Sequence, residues 1–167
     1  MIEYTIEDEF EATVDDYWSM FFSKAFNDAL WPHIDVEYEL LDYREEQDGD
    51  VIHRRQRLTP KREVPRALQR LVKGAISYEE ANVWRKADSA MSVVVTPSFM
   101  SSSFDSTGTY TVKPAGEGKV LRRWTSKVIC KVPMVGGSVE KTVVDSVKES
   151  YRRTTQFTRE WIAEHRV

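Results

Sequence analysis

Two consecutive acids, Glu79 and Glu80, stand in the strand-like segment ISYEEANVW and are the first candidates for chemistry. A strand sends successive side chains to opposite faces, so one of the two must point inward. On the parity of Tyr78, Glu80, Asn82 and Trp84, Glu80 shares its face with two aromatics. A carboxyl buried there has its charged form penalised, and it can hydrogen-bond a ligand hydroxyl or act as an acid or base. The competing arrangement turns Glu80 outward or pairs it with Arg57 or a neighbour, and the sequence alone favours it. Asp105 and Asp145 read as turn and helix-surface residues.

The remaining reactive side chains are dispersed. His33, His53 and His165 fall on a loop, a strand and the C-terminal tail, and no H-x-x-x-H or C-x-x-C spacing is present to hold a metal. Cys130, the single cysteine, reads as a small core hydrophobe on an inward strand face. There is no G-x-S-x-G, P-loop or G-x-G-x-x-G, and the glycines at 136 and 137 are turn residues. No metal, nucleotide or other cofactor is expected.

A second signal is the helix that closes the chain, SVEKTVVDSVKESYRRTTQFTREWIAEH, which contains neither proline nor glycine. At about 100° per residue, Val139, Val143, Val147, Ser150, Thr154, Phe157 and Trp161 form one stripe, with Ser146 and Thr158 at its edges. The middle of that stripe is small or weakly polar. Interiors pack densely, so either large residues of a facing sheet fill the space or the volume is reserved for a ligand oriented by hydroxyls. A third signal is PKREVPRALQRLVKGAI. It predicts a helix from Val64 to Gly74 with Val64, Leu68, Leu71 and Val72 on one side and Lys61, Arg62, Arg66, Arg70 and Lys73 around the other.

These groups need a scaffold. A half-buried strand opens the chain at EYTIEDEFEA, with Tyr4, Ile6 and Phe10 on one face. Thr13 and Asp16 mark a helix start, Ser23 a break, and Pro32 a stop. Strands from Asp35 to Tyr43 and Val51 to Leu58 flank the turn QDGD. Four further strands follow the basic helix: ISYEEANVW, AMSVVVTPSFM, SFDSTGTYTVKPA and Val120 to Val132. On the last of them Trp124, Ser126, Val128, Cys130 and Val132 face one way. The reading is an α+β domain spanning residues 1–167, with about seven strands in an antiparallel meander, two short helices after the first strand and one long C-terminal helix.

With 167 residues, 41% hydrophobic and 31% charged, disordered and fibrous classes are excluded. A net charge of −3 without basic runs interleaved with aromatics argues against nucleic acid as a partner. The acidic start MIEYTIEDEF does not read as a signal peptide, and no run of about eighteen apolar residues occurs, so a cytoplasmic location is expected.

The order of elements, the segment FEATVDDYWSMFFSKAF and the strand-to-helix turn KVICKVPMVGGSVEKTV resemble the START-like, or SRPBCC, superfamily along essentially the whole chain. The turn in particular is similar to V-x-V-P-x-V-G-G-x-x-E of bacterial START-like proteins. The resemblance implies a helix-grip fold, in which a curved antiparallel sheet wraps the C-terminal helix around an apolar cavity. It implies an apolar ligand such as a lipid, sterol or isoprenoid, bound and carried between membranes without catalysis. Strand parity and the helix stripe then place Trp84, Val93, Val95, Phe99, Tyr110, Trp124, Val128, Val143, Val147 and Ser150 in the lining. Intracellular lipid-transfer members carry an insertion where this chain has its basic helix. By that likeness Arg66, Leu68, Arg70, Leu71 and Lys73 form a gate in transient contact with an anionic membrane surface. Two alternatives stay open: a cyclase or hydratase enzyme with Glu80 as acid or base and Tyr110 as partner, and a co-chaperone-like protein-binding module. No feature of the sequence specifies an oligomeric state.

Overall fold

The computed structural model describes residues 1–166. Seven strands form one antiparallel sheet: β1 (Ile2–Phe10), β2 (Val36–Glu46), β3 (Val51–Pro60), β4 (Tyr78–Arg85), β5 (Ala90–Pro97), β6 (Phe104–Pro114) and β7 (Val120–Cys130). Their order, β1-β7-β6-β5-β4-β3-β2, is a meander whose last strand returns to pair with the first. Helix α1 (Val14–Phe22) and helix α2 (Lys24–His33) fill the connection from β1 to β2. The Thr13 hydroxyl accepts from the Asp16 N–H (3.1 Å), and Ser23 ends α1 and caps α2 by accepting from the Phe26 N–H (3.2 Å). Pro32 does not stop α2, which runs on to His33. A proline in the last turn forfeits one ladder bond, and the Ile34 N–H still closes the end on the Leu30 carbonyl (3.1 Å).

The segment expected to be helical from Val64 to Gly74 is helical only over Arg66–Gln69, α3. Pro65 precedes it without a side-chain cap, and so short a turn makes too few bonds to stand alone. It is held by Leu68, which buries against Cys130 and Val139. Strand β7 ends at Cys130 rather than Val132, and helix α4 (Gly136–Glu164) begins after a short turn. The turn's residues have identifiable duties. A Cβ on Gly136 would lie 2.4 Å from the Cys130 carbonyl oxygen, so only glycine lets the helix start this close to the strand. Glu140 then accepts the Cys130 N–H (2.8 Å), and its second oxygen accepts from the Met1 ammonium (2.6 Å).

The inward face of α4 differs from the expected stripe. Val139, Glu140, Val144, Thr155 and Thr158 are buried, and Tyr151 and Ile162 pack against the main core. Toward the C-terminus the face is rotated by about one residue, or about 100°, from Ser150, Thr154, Phe157 and Trp161. Phe157 and Trp161 instead meet Phe26 of α2, with ring centroids 5.9 and 5.7 Å apart. A helix flanked by both a sheet and a second helix has two apolar directions, and periodicity does not say which residues serve which. The resulting arrangement is a helix grip, with a sheet on one side and α4 with the small helices on the other. Among the described residues no helix is long and apolar enough to cross a membrane.

Candidate functional site

The apolar interior falls into three clusters. One lies under α1 (Phe10, Tyr17, Trp18, Trp84, Tyr110, Trp124), one between α2 and β2 (Phe26, Leu30, Ile34, Leu58), and one beneath α3 (Leu68, Cys130, Val139). A polar seam lies on the inner face of β3 and β4, where Arg54 pairs in register with Asn82, Gln56 with Glu80 and Leu58 with Tyr78. Glu80 points inward, contrary to the arrangement the sequence favoured. It is Glu79 that meets Arg57 (2.9 Å), because the strand's alternation gives each glutamate a different face. The Glu80 Oε2 accepts from Gln56 Nε2 (2.8 Å). Burial raises the Glu80 pKa, and Gln56, Arg54 and Asn82 offset part of that rise.

Across the interior stand Tyr4 of β1 and Tyr151 of α4. Tyr78 lies close enough to both Glu80 and Tyr4 to feel their charge, as does Tyr151. Tyr78, Glu80 and Tyr151 are half-buried. Burial pushes the hydroxyls of Tyr78 and Tyr151 far above the ordinary tyrosine range. Neither hydroxyl finds a hydrogen-bond partner among the described residues, whereas Glu80 is hydrogen-bonded by both Gln56 and Asn82.

Of the lining expected from the sequence, Trp84, Val93, Tyr110, Trp124 and Val128 are buried on the inner face, and Val95 is half-buried there. Trp84 and Tyr110 belong to an aromatic plug with Trp18 (5.6 and 5.7 Å), and the Tyr110 hydroxyl is engaged by that of Tyr17 (2.6 Å). Trp124 lies across Gly108, where a Cβ would fall 2.2 Å from the indole. It stacks on Tyr151 (6.0 Å) and donates to the Tyr4 hydroxyl (3.2 Å). Phe99 packs in the cluster beneath α3 with Val143, while Val147 is half-buried. Ser150 sits at the rim, where it accepts from Arg62 (2.6 Å). Tyr4, Gln56, Tyr78 and Tyr151 were not singled out by the sequence, although Tyr78 shares the parity that located Glu80. Two surface depressions, of about 330 and 490 Å³, lie by the β2–β3 turn and between α2 and β2 rather than under α4.

A family model described as a protein of unknown function, DUF2505, matches residues 5–162. The chain belongs to the DUF2505 family. No curated protein matches it in sequence. Solved structures do match in shape. A START superfamily protein from Mycobacterium smegmatis is 16% identical at a TM-score of 0.61, over 96% of this chain and 98% of its own. The Zhui aromatase/cyclase of a Streptomyces species is 11% identical at 0.65, over 99% of each chain. Norcoclaurine synthase from Thalictrum flavum, solved with dopamine and hydroxybenzaldehyde, is 16% identical at 0.67, over 99% of this chain and 90% of its own. At such identities the likeness shows the fold, and that fold is START-like, as the resemblance implied.

In this DUF2505 protein the strap from β3 to β4 borders the interior. Leu68 is buried, whereas Arg66, Arg70 and Lys73 are exposed and Leu71 is 37% exposed. The neighbouring β7–α4 turn presents Met134, fully exposed, and Val135. The other inward cation, Arg122, is buried beneath Phe10 and Tyr151 (4.8 and 5.1 Å to the ring centres) and donates to Asp8 (2.6 Å) and Thr155. Burial works against its charge, but Tyr110, Tyr17, Tyr151 and Asp8 together hold it protonated.

Proposed function

We propose that this protein binds a largely apolar small molecule between the sheet and α4, with its polar end at Tyr78, Glu80 and Tyr151. The carrying observation is that the half-buried Tyr78 and Tyr151 hydroxyls find no protein partner and that Gln56 Oε1, on the same inner face, is buried without one. Buried polar groups are ordinarily paired, so a cluster that is not marks a place where a ligand completes the pairing. The half-buried Val95, Val143 and Val147 would supply apolar wall, and removal of ligand surface from water contributes about 25 cal/mol per Å². Neighbours of the same fold include a START superfamily protein, an aromatase/cyclase and a norcoclaurine synthase solved with dopamine and hydroxybenzaldehyde, which is consistent with this use.

Native mass spectrometry of protein purified from a lipid-containing host is expected to reveal a retained small-molecule mass. Val147→Trp should abolish that mass while the protein stays folded. Overpacking a filled core instead costs about 1–3 kcal/mol. Loss of that much stability in denaturation would mean that no cavity lies beneath Val147.

The reading extends to ligand exchange at an anionic bilayer, through the exposed cations of the strap and the apolar tips of Leu71, Met134 and Val135. A second reading is acid–base catalysis by Glu80, favoured by its raised pKa in an enclosed site. A saturable reaction lost in Glu80→Gln while ligand affinity survives would establish that reading over simple binding.

A further inference from the structure

The sheet has two edges, and the one made by β2 is left open. Strand β2 pairs only with β3, so along its 11 residues every second one turns its N–H and carbonyl away from the sheet. None of these outward groups has a backbone partner among the described residues. Exposed edges are ordinarily short, covered, or broken by lysine or proline. Strand β2 contains neither residue, and it leaves Leu40 and Tyr43 48% and 39% exposed. A register shift between Leu40 and Asp42 interrupts it, so the regular stretch of the edge is Val36–Leu40.

Beside that stretch lies the depression of about 490 Å³ between α2 and β2. Trp31 of α2 stacks on Tyr38 of β2, with ring centroids 5.7 Å apart and planes 15° from parallel, and the two rings wall the groove. The Trp31 indole is fixed there because its N–H donates to Oδ1 of the buried Asn27 (3.1 Å). Asp28, Glu37 and Glu39 stand exposed at the rim. A groove between a strand edge and a helix suits an extended segment that joins the sheet as an added strand: main-chain bonds hold it, and alternate side chains fall against the wall.

Charge decides what that segment is. Strand β2 carries Glu37, Glu39, Asp42, Glu45 and Glu46 against Arg44 alone, which is five acids to one base in 11 residues. Arg57 and Lys61 approach Glu39 and Glu37 (3.0 and 4.0 Å), but Arg57 is shared with Glu79 (2.9 Å). Asp42 and Glu45 have no ion-pair partner among the described residues. A second copy of this chain laid along the same edge would set acids against acids, which destabilises a strand pair. A segment bearing lysine or arginine meets the opposite sign instead, and its cations can lie over the Trp31 and Tyr38 rings.

We infer that the β2 edge beside α2 is a docking site for an extended, lysine- or arginine-bearing segment of another protein, paired with Val36–Leu40 as an additional strand. The site lies on the outside of the grip, so this docking does not depend on the ligand reading above.

Fluorescence anisotropy of the whole protein with three labelled peptides of about eight residues provides the test. The peptides are the alternating KVTVKVTK, its acidic counterpart EVTVEVTE, and KVTVKVTK N-methylated at every valine and threonine, which keeps the charges and removes main-chain donors on both edges. The unmodified cationic peptide is expected to bind at least ~10-fold more tightly than either of the others. In Glu37→Gln/Glu39→Gln, which keeps side-chain shape, its advantage over the acidic peptide should fall at least ~5-fold, with the far-UV circular dichroism unchanged. Equal binding of the N-methylated peptide would leave only an acidic surface and overturn strand addition. An advantage undiminished in the double variant removes the groove from the assignment and overturns it as stated. Failure of KVTVKVTK to bind overturns it too, because main-chain bonds and charge are the whole of the recognition inferred. Sedimentation velocity should show a monomer; a dimer that KVTVKVTK dissociates would assign the edge to a second copy of this chain and overturn the inference.

Discussion

Glu80 carries the sharpest consequence of a single side chain's surroundings. Its pKa is raised by burial, so the folded state holds its proton more tightly than the unfolded chain does. The stability this contributes is complete below the unfolded carboxyl value of about 4.3 and is lost as pH rises through the higher folded value. Glu80→Gln preserves an acceptor for Gln56 Nε2 and abolishes the charge. We expect this variant to be more stable than the parent at neutral pH and indistinguishable from it in acid, as read by urea denaturation at the two pH values. An equal stability difference at both would show that ionised Glu80 is tolerated without cost. Strand parity put Glu80 on one face with Tyr78 and Trp84; what it could not say was that this face turns inward and that Glu79 takes Arg57, because that depends on Glu39 and Glu79 converging on one guanidinium from both neighbouring strands.

At the scale of elements, the strap and α4 show how far periodicity reaches. Within residues 64–74 Leu68 is inward and Arg66, Arg70 and Lys73 are outward, as the pattern put them, whereas Leu71, read as part of the apolar side, is exposed, and only one helical turn forms. Exposed charges of this kind act through a field screened over about 10 Å at 0.1 M salt, and each cation near an anionic bilayer contributes about 1 kcal/mol. Replacing Arg66, Arg70 and Lys73 together with glutamate should therefore reduce flotation with phosphatidylserine vesicles, most at low salt. Binding of a neutral fluorescent reporter, N-phenyl-1-naphthylamine, should be unaffected. Unchanged flotation would reduce the strap to a solvated connection. Helix α4 teaches the opposite lesson. Its existence and length were plain from the absence of proline and glycine, and Val139 and Val143 face inward as the stripe had them, but toward the C-terminus the inward face was misplaced by about 100°, since Phe157 and Trp161 serve α2 and Tyr151 serves the sheet.

For the molecule as a whole, Arg122 binds the two halves of the grip. From β7 it reaches Asp8 on β1 and Thr155 on α4 beneath a roof of aromatic rings. Arg122→Met should cost about 3–5 kcal/mol, because Asp8 is left without its counter-ion, and adding Asp8→Asn should recover part of that loss; equilibrium denaturation of both variants measures it. An undiminished stability would show that packing alone joins helix to sheet. The sequence by itself determined the number and order of the elements, the caps at Thr13 and Ser23, the inward parity of β7 and the turn at Gly136, because each is set by residues near one another along the chain. Tertiary structure alone decided which side chains meet. Tyr4, Tyr78, Glu80 and Tyr151 come from three separate elements, β1, β4 and α4, and only the packing of helix against sheet sets how near they stand. Curvature, helix rotation and the pairing of buried charges are properties of elements packed together, and no local spacing encodes them.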